Sequence, residues 1–212
     1  MTGRRRIILR GDKVKTGKKA LTALLMVVLA IAVMAVEAPI ASAETYRHQK
    51  TGLVFPDPVG SMKLVKVTDY EPLYAGLGTG ISYRTETIRA DVFLYDMQKG
   101  PVPNGISSPV VADEFEQAIA DIYSMEKNGT YKNISTMIKK ETVPVGSLKF
   151  LHSVLTYEQN NIKLISHLYL TGYGGLFVKL RVTYFTDAKA HEETNLAMFL
   201  AMIGDITKKP PR

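Results

Sequence analysis

The sequence predicts an α+β fold, an antiparallel sheet of about seven strands with two amphipathic helices packed on it. Three observations lead there. Seven segments alternate apolar and polar residues with period two, and two longer segments carry their apolar residues at helical spacing. The chain also contains no cysteine, so its core must hold by packing alone.

The strand-like segments are Met62 to Thr68, Ile81 to Glu86, Ile88 to Tyr95, Ser135 to Val143, Leu148 to Tyr157, Ile162 to Leu170 and Leu176 to Phe185. All are rich in β-branched and aromatic residues, which suit a pleated surface. A shorter piece, Leu53 to Phe55, precedes Pro56-Asp57-Pro58 and reads as an added edge strand.

The first helix is expected after Ser108 as N-cap and Pro109 at its first position. It carries a stripe of Val111, Phe115, Ala118, Ile119, Ile122 and Met125 and ends at Asn128-Gly129. Asp113, Glu114, Glu116 and Asp121 are assigned to its solvated side. The second helix is expected to be capped by Asp187, to align Leu196, Phe199, Leu200 and Ile203, and to stop before Gly204. In the late strands Leu151, Leu155 and Tyr157 are grouped with Leu164, Leu168 and Leu170, and with Leu176, Val178, Leu180 and Val182. That apolar face needs a cover, and the two helices are available for it.

The first 43 residues differ from the rest. Arg4, Arg5, Arg6, Arg10, Lys13, Lys15, Lys18 and Lys19 precede an apolar run from Ala20 to Val36, which Glu37 and Pro39 end. Ala41 and Ala43 place small residues before Glu44, as a signal peptidase requires, so residues 1 to 43 read as a signal peptide cut before Glu44. The alternative is an uncleaved anchor, its basic end held in the cytoplasm by the positive-inside bias. Both readings put residues 44 to 206, one expected domain, in the periplasm or outside the cell, followed by a disordered tail at 207 to 212. The membrane is then a partner only through an uncleaved N-terminal segment.

Charge follows the same division. The chain holds 27 basic and 20 acidic side chains, but residues 1 to 43 take 8 and 2 of them, leaving a net charge of +1. The basic balance belongs to the leader, and nucleic acid is not an expected partner. The absence of cysteine further excludes thiolate metal sites and cysteine nucleophiles.

The order of elements, together with "YRHQKTGLVFPDPVGSMKL" and its Thr51-Gly52-Leu53-Val54-Phe55-Pro56 opening, resembles the PsbP-like fold family. The likeness covers most of residues 46 to 206. It implies an accessory or binding role rather than catalysis, and, with the export reading, another envelope protein is the expected partner. It carries over no site residue, because function resides in sites and not in folds.

Two features remain as candidate sites. If Glu158 to Asn161 forms a four-residue loop, Tyr157 faces Ile162 and His152 faces His167, close enough to share a metal or a proton. A two-residue Asn160-Asn161 turn would instead place the two imidazoles diagonally on the same face. Lys163, Tyr169, Lys179 and Arg181 are expected on that face, which disfavours a divalent ion there, and the sequence places no carboxylate beside the pair. The second feature is a pair of irregular stretches, Asp69 to Gly80 and Asp96 to Ser108. Their Tyr70, Tyr74, Pro101 and Pro103 are candidates for contact with a partner. Gly76-Leu77-Gly78-Thr79-Gly80 is followed by a strand pattern rather than a helix, so it reads as a turn and not a phosphate cradle. No Gly-x-Ser-x-Gly or His-Glu-x-x-His motif occurs. No cofactor is expected, and a non-catalytic binding domain is the favoured class, with a small-molecule or metal-binding protein using His152 and His167 as the alternative.

Overall fold

A computed structural model describes residues 45 to 208. The leader, with Ala41, Ala43 and Glu44 of the expected cleavage site, lies outside the described residues, as do the last four residues of the tail. Among the described residues nine strands are present: β1 (Tyr46–Arg47), β2 (Val54–Phe55), β3 (Lys63–Asp69), β4 (Thr79–Arg84), β5 (Ile88–Tyr95), β6 (Lys132–Val145), β7 (Leu148–Gln159), β8 (Ile162–Tyr173) and β9 (Leu176–Phe185). Helix α1 spans Pro109–Lys127 and α2 spans Lys189–Ile206. The seven strands expected from periodicity are β3 to β9. Leu53 to Phe55 contributes β2, which pairs with β1 in a separate two-stranded sheet rather than at the edge of the main one.

The main sheet is antiparallel throughout, in the order β3-β4-β5-β9-β8-β7-β6. Two meanders, β3-β4-β5 and β6-β7-β8-β9, therefore meet where β9 lies beside β5. Helix α1 is the connection between them. This is the predicted α+β class.

The two helices cover opposite faces, not the same one. Along a strand successive side chains alternate in direction, and β8 pairs with β9 so that Leu168 faces Arg181 and His167 faces Val182. Even-numbered residues of β8 thus share a face with odd-numbered residues of β9, and grouping Leu168 and Leu170 with Leu176 to Val182 was incorrect. One core contains Val92, Val154, Ile165, Tyr169, Leu180 and Tyr184 against Leu196, Phe199 and Ile203 of α2. The other contains Tyr95, Leu151, Leu168, Leu170 and Phe177 against Val111, Phe115 and Ala118 of α1. Each helix seals one face.

Helix α1 begins as the sequence indicates, with the Ser108 hydroxyl accepting from the Val110 amide at 3.3 Å, and it ends at Asn128 before Gly129. Its acids are not all outside. Glu114 and Asp121 are 2% and 5% exposed, because they follow Val111 by three and ten residues and so fall on its own stripe. Helix α2 differs at both ends. Ala188 occupies the N-cap with no side-chain hydrogen bond, after a 3-10 turn at Thr186–Ala188 that contains Asp187, and the helix continues through Gly204 to Ile206. Gly204 serves close packing against the β6–β7 turn rather than a helix stop: a Cβ on it would fall 2.9 Å from the Gly146 Cα. Thr207 is buried, its hydroxyl donating to the Ile203 carbonyl at 2.7 Å, so the tail begins one residue later than expected.

Candidate functional site

The β7–β8 hairpin decides the geometry of the histidines. Gln159 pairs with Ile162, and Asn160 and Asn161 have φ of +53° and +64°. This is a two-residue turn of the kind that asparagine tolerates and that matches strand twist, not a four-residue loop. His152 consequently faces Tyr169, and His167 faces Val154. The two histidines are diagonal neighbours on the face that α2 covers.

They touch directly. His152 Nε2 lies 3.1 Å from His167 Nδ1, and the ring planes differ by 12° with centroids 5.3 Å apart. That separation is almost the full N···N distance plus two ring radii, the greatest it could be, so the nitrogens point at each other within a nearly common plane. Tyr169 stacks on His152, ring centroids 4.2 Å apart. On the far side of each imidazole stands another partner: the Glu141 carboxylate 2.8 Å from His152 Nδ1, and the Tyr184 hydroxyl 3.1 Å from His167 Nε2. The Tyr169 hydroxyl also approaches His167 Nδ1 at 3.4 Å.

Donor and acceptor roles follow from one end of this chain. An ionised carboxylate can only accept, so His152 Nδ1 carries hydrogen and donates to Glu141. In a neutral ring Nε2 is then bare, and His167 Nδ1 must donate to it. His167 Nε2 is left as the acceptor for the Tyr184 hydroxyl. Four side chains from β6, β7, β8 and β9 are satisfied with both imidazoles neutral. Burial lowers the pKa of both rings. For His152 the nearby Glu141 carboxylate opposes that shift. For His167 the charges of His152 and Lys189 add to it, bringing the pKa down to about 4. Burial raises the Tyr184 hydroxyl, and the Glu193 carboxylate of α2 adds to this.

A metal is a poor fit for this pair as it stands. Nitrogens aimed at each other across 3.1 Å leave no room for an ion between them, since each metal–nitrogen bond alone needs about 2.0 Å. Among the described residues no group of three or more histidine, aspartate or glutamate side chains converges in a ligand arrangement. Of the cations expected on this face, Lys179 and Arg181 lie on the opposite one, under α1. There Arg181 donates to the hydroxyls of Tyr131 and Tyr157, both at 3.2 Å, and Lys179 sits 5.1 Å from the Phe93 ring centroid. The buried acid Glu114 accepts from the Tyr95 hydroxyl at 2.9 Å and from Lys99 at 2.7 Å on that same side.

The two irregular stretches come together at the other end of the sheet. The Asp96 and Met97 amides donate to the Gly76 carbonyl at 3.2 and 2.8 Å. Glu71 orders the first stretch from within, its two carboxylate oxygens accepting from the Gly76 and Gly78 amides, each at 2.9 Å. The amides that a phosphate cradle would offer are therefore engaged. The second stretch is tied to the β8–β9 turn through Val102–Gly175 and Gly105–Gly172 bridges. Between the stretches and the N-terminal turn lies a cleft of about 690 Å³, walled by Tyr46, Lys50, Asp69, Glu71, Asp96 and Gln98. Tyr74 is exposed beside Leu73, which is 66% exposed, and Pro101 and Pro103 are also at the surface. Tyr70 is half-buried, its ring 2.9 Å from where a Cβ on Gly80 would sit.

Glu141, Tyr184, Glu114 and Asp121 are not among the buried or site residues expected from the sequence. Glu114 and Asp121 could have been found, since they keep the 3-4 spacing of the apolar stripe. Glu141 could have been found too, since the β6–β7 hairpin runs in unbroken register from Val145–Leu148 to Glu141–His152 and the β6 irregularities lie beyond it. Comparison with protein-family models and with curated proteins finds no match.

Proposed function

We propose that this chain is an exported, non-catalytic accessory domain of the cell envelope that binds a protein partner through its loop end. The observation carrying this reading is the pair of internally braced stretches, 69 to 80 and 96 to 108, around the cleft of about 690 Å³. Loops held in one conformation lose little entropy on binding, which is what a recognition surface gains from such bracing. The apolar side chain of Leu73 and the ring of Tyr74 stand at the rim, where an anchor residue would engage a partner. The element order agrees with the PsbP-like resemblance, and the leader supplies the export reading.

A photo-crosslinking residue placed at Tyr74 in the native host tests this. One discrete protein adduct at Tyr74, absent when the same residue is placed at Asn160 on the opposite end, is the expected result. Identical adducts from both positions, or none at Tyr74, would rule the loop end out as the partner surface.

A further inference from the structure

We propose that the Glu141–His152–His167–Tyr184 chain is an acid sensor that absorbs one proton without breaking and releases the start of α2 when it receives a second. The groups facing it are Glu141 from β6, His152 from β7, Tyr169 from β8, Tyr184 from β9, and Lys189 and Glu193 from α2.

The first proton is accommodated by reversal of the chain. It adds to His167 Nε2 as the Tyr184 hydroxyl turns away, and the proton on His167 Nδ1 passes to His152 Nε2. His167 ends neutral with its hydrogen on Nε2, now donating to the Tyr184 oxygen. The positive charge ends on His152, whose Nδ1 is 2.8 Å from the Glu141 carboxylate. Each nitrogen keeps a partner, and one hydrogen bond becomes charge-assisted.

The second proton has no such place. The vacant nitrogen is His167 Nδ1, which faces the His152 Nε2–H at 3.1 Å. Two N–H groups would then point at each other between two cations, and the new charge would also face Lys189 in the first turn of α2. Among the described residues Lys189 pairs with Glu193 at 3.7 Å, both side chains exposed. Nothing on α2 compensates the new charge strongly, so the imidazoles separate and the first turn of α2 lifts.

The test is long-range nitrogen–proton correlation on the full chain labelled with ¹⁵N at histidine, from pH 8 to pH 3.5, with backbone amide shifts followed in parallel. At pH 8 both His152 and His167 should carry hydrogen on Nδ1. On acidification His152 should charge while His167, at the same midpoint, moves its hydrogen to Nε2 and stays neutral. His167 should charge at a lower pH, together with shifts of the Lys189 to Glu193 amides. His167 protonated on Nε2 at pH 8, or both rings charging independently with no tautomer exchange, would overturn the proposal, and neither reading requires a variant. In folded E141Q the His152 midpoint should fall, and an unchanged midpoint would equally overturn it.

Discussion

His152 and Tyr169 are direct partners across β7 and β8, their rings stacked 4.2 Å apart, and this pairing sets His167 diagonally beside His152 rather than opposite it. Stacking and strand pairing together withdraw both imidazoles from water. The cost appears on acidification. The pKa of His167 falls from about 6.5 in the unfolded chain to about 4 in the fold, so between these values the unfolded state binds more protons.

Stability should therefore be fully present above pH 6.5 and decline as pH falls toward 4, with His152 and His48, also lowered by burial, contributing in the same direction. The His167 share is at most about 3 kcal/mol. Urea midpoints measured from pH 7.5 to 4.5 should fall in the wild type and fall distinctly less in H167Q, whose amide can still donate to His152 and accept from Tyr184. Parallel curves for the two proteins would show that His167 does not carry the dependence.

Replacing Glu71 by alanine removes the acceptor for the Gly76 and Gly78 amides. Two charge-assisted bonds near solvent contribute about 1–2 kcal/mol together. Because the Asp96 and Met97 amides lean on the Gly76 carbonyl, both stretches should loosen. Hydrogen exchange should accelerate at residues 70 to 78 and 96 to 98 while β7 and β8 stay protected. Uniform acceleration across the sheet would mean Glu71 supports the fold rather than the loops.

The extent to which this was legible in the sequence follows from what periodicity encodes. Period-two alternation located β3 to β9, since each strand buries at least one face. The Ser108-Pro109 start of α1 was readable because capping chemistry is local. Faces were not, because a face depends on the register of a neighbouring strand: β8 pairs with β9 so that Leu168 faces Arg181, which puts Leu168 and Leu170 on the face opposite Leu176 to Val182, whereas the Asn160-Asn161 turn moves the β7–β8 pairs by two and changes no face. Glu141 is set opposite His152 by the tight Gly146-Ser147 turn, from which the β6–β7 register runs unbroken to that pair; the β6 irregularities begin only beyond Glu141. The two histidines are neighbours, diagonal rather than opposite, and the Tyr184 end of their chain follows only from the β8–β9 pairing.

Close approach of two backbones gives a sharper prediction. Gly146 has φ +60°, and a Cβ there would lie 2.5 Å from the Gly204 Cα and 2.8 Å from its carbonyl oxygen. Backbone cannot rotate away as a side-chain tip can, so G146A should destabilise by more than about 2 kcal/mol. Gly129 is the control: its φ is +77°, but nothing lies within 4 Å of the added Cβ, so G129A should cost only the left-handed strain, about 1 kcal/mol. Equal losses in urea unfolding would mean that α2 shifts freely on the β6–β7 turn.

Arg181 is 7% exposed and ends at hydroxyls, donating from Nη2 to Tyr131 and Tyr157 at 3.2 Å and from Nε to Ser166 at 3.3 Å. The Tyr131 and Tyr157 rings are themselves stacked at 4.1 Å, so one planar guanidinium fixes two aromatic side chains that support the α1 side of the sheet. A lysine keeps the charge but not the fork, and its compact ammonium cannot reproduce donors from two separate nitrogens. R181K should lose about 2–3 kcal/mol, Y157F about 1 kcal/mol. The double variant should lose less than their sum, because the Tyr157 hydroxyl has already lost its donor in R181K. Strict additivity in the double-mutant cycle would mean that the Arg181–Tyr157 bond contributes nothing, and that the buried charge is held instead by Asp91, its partner across β5 and β9.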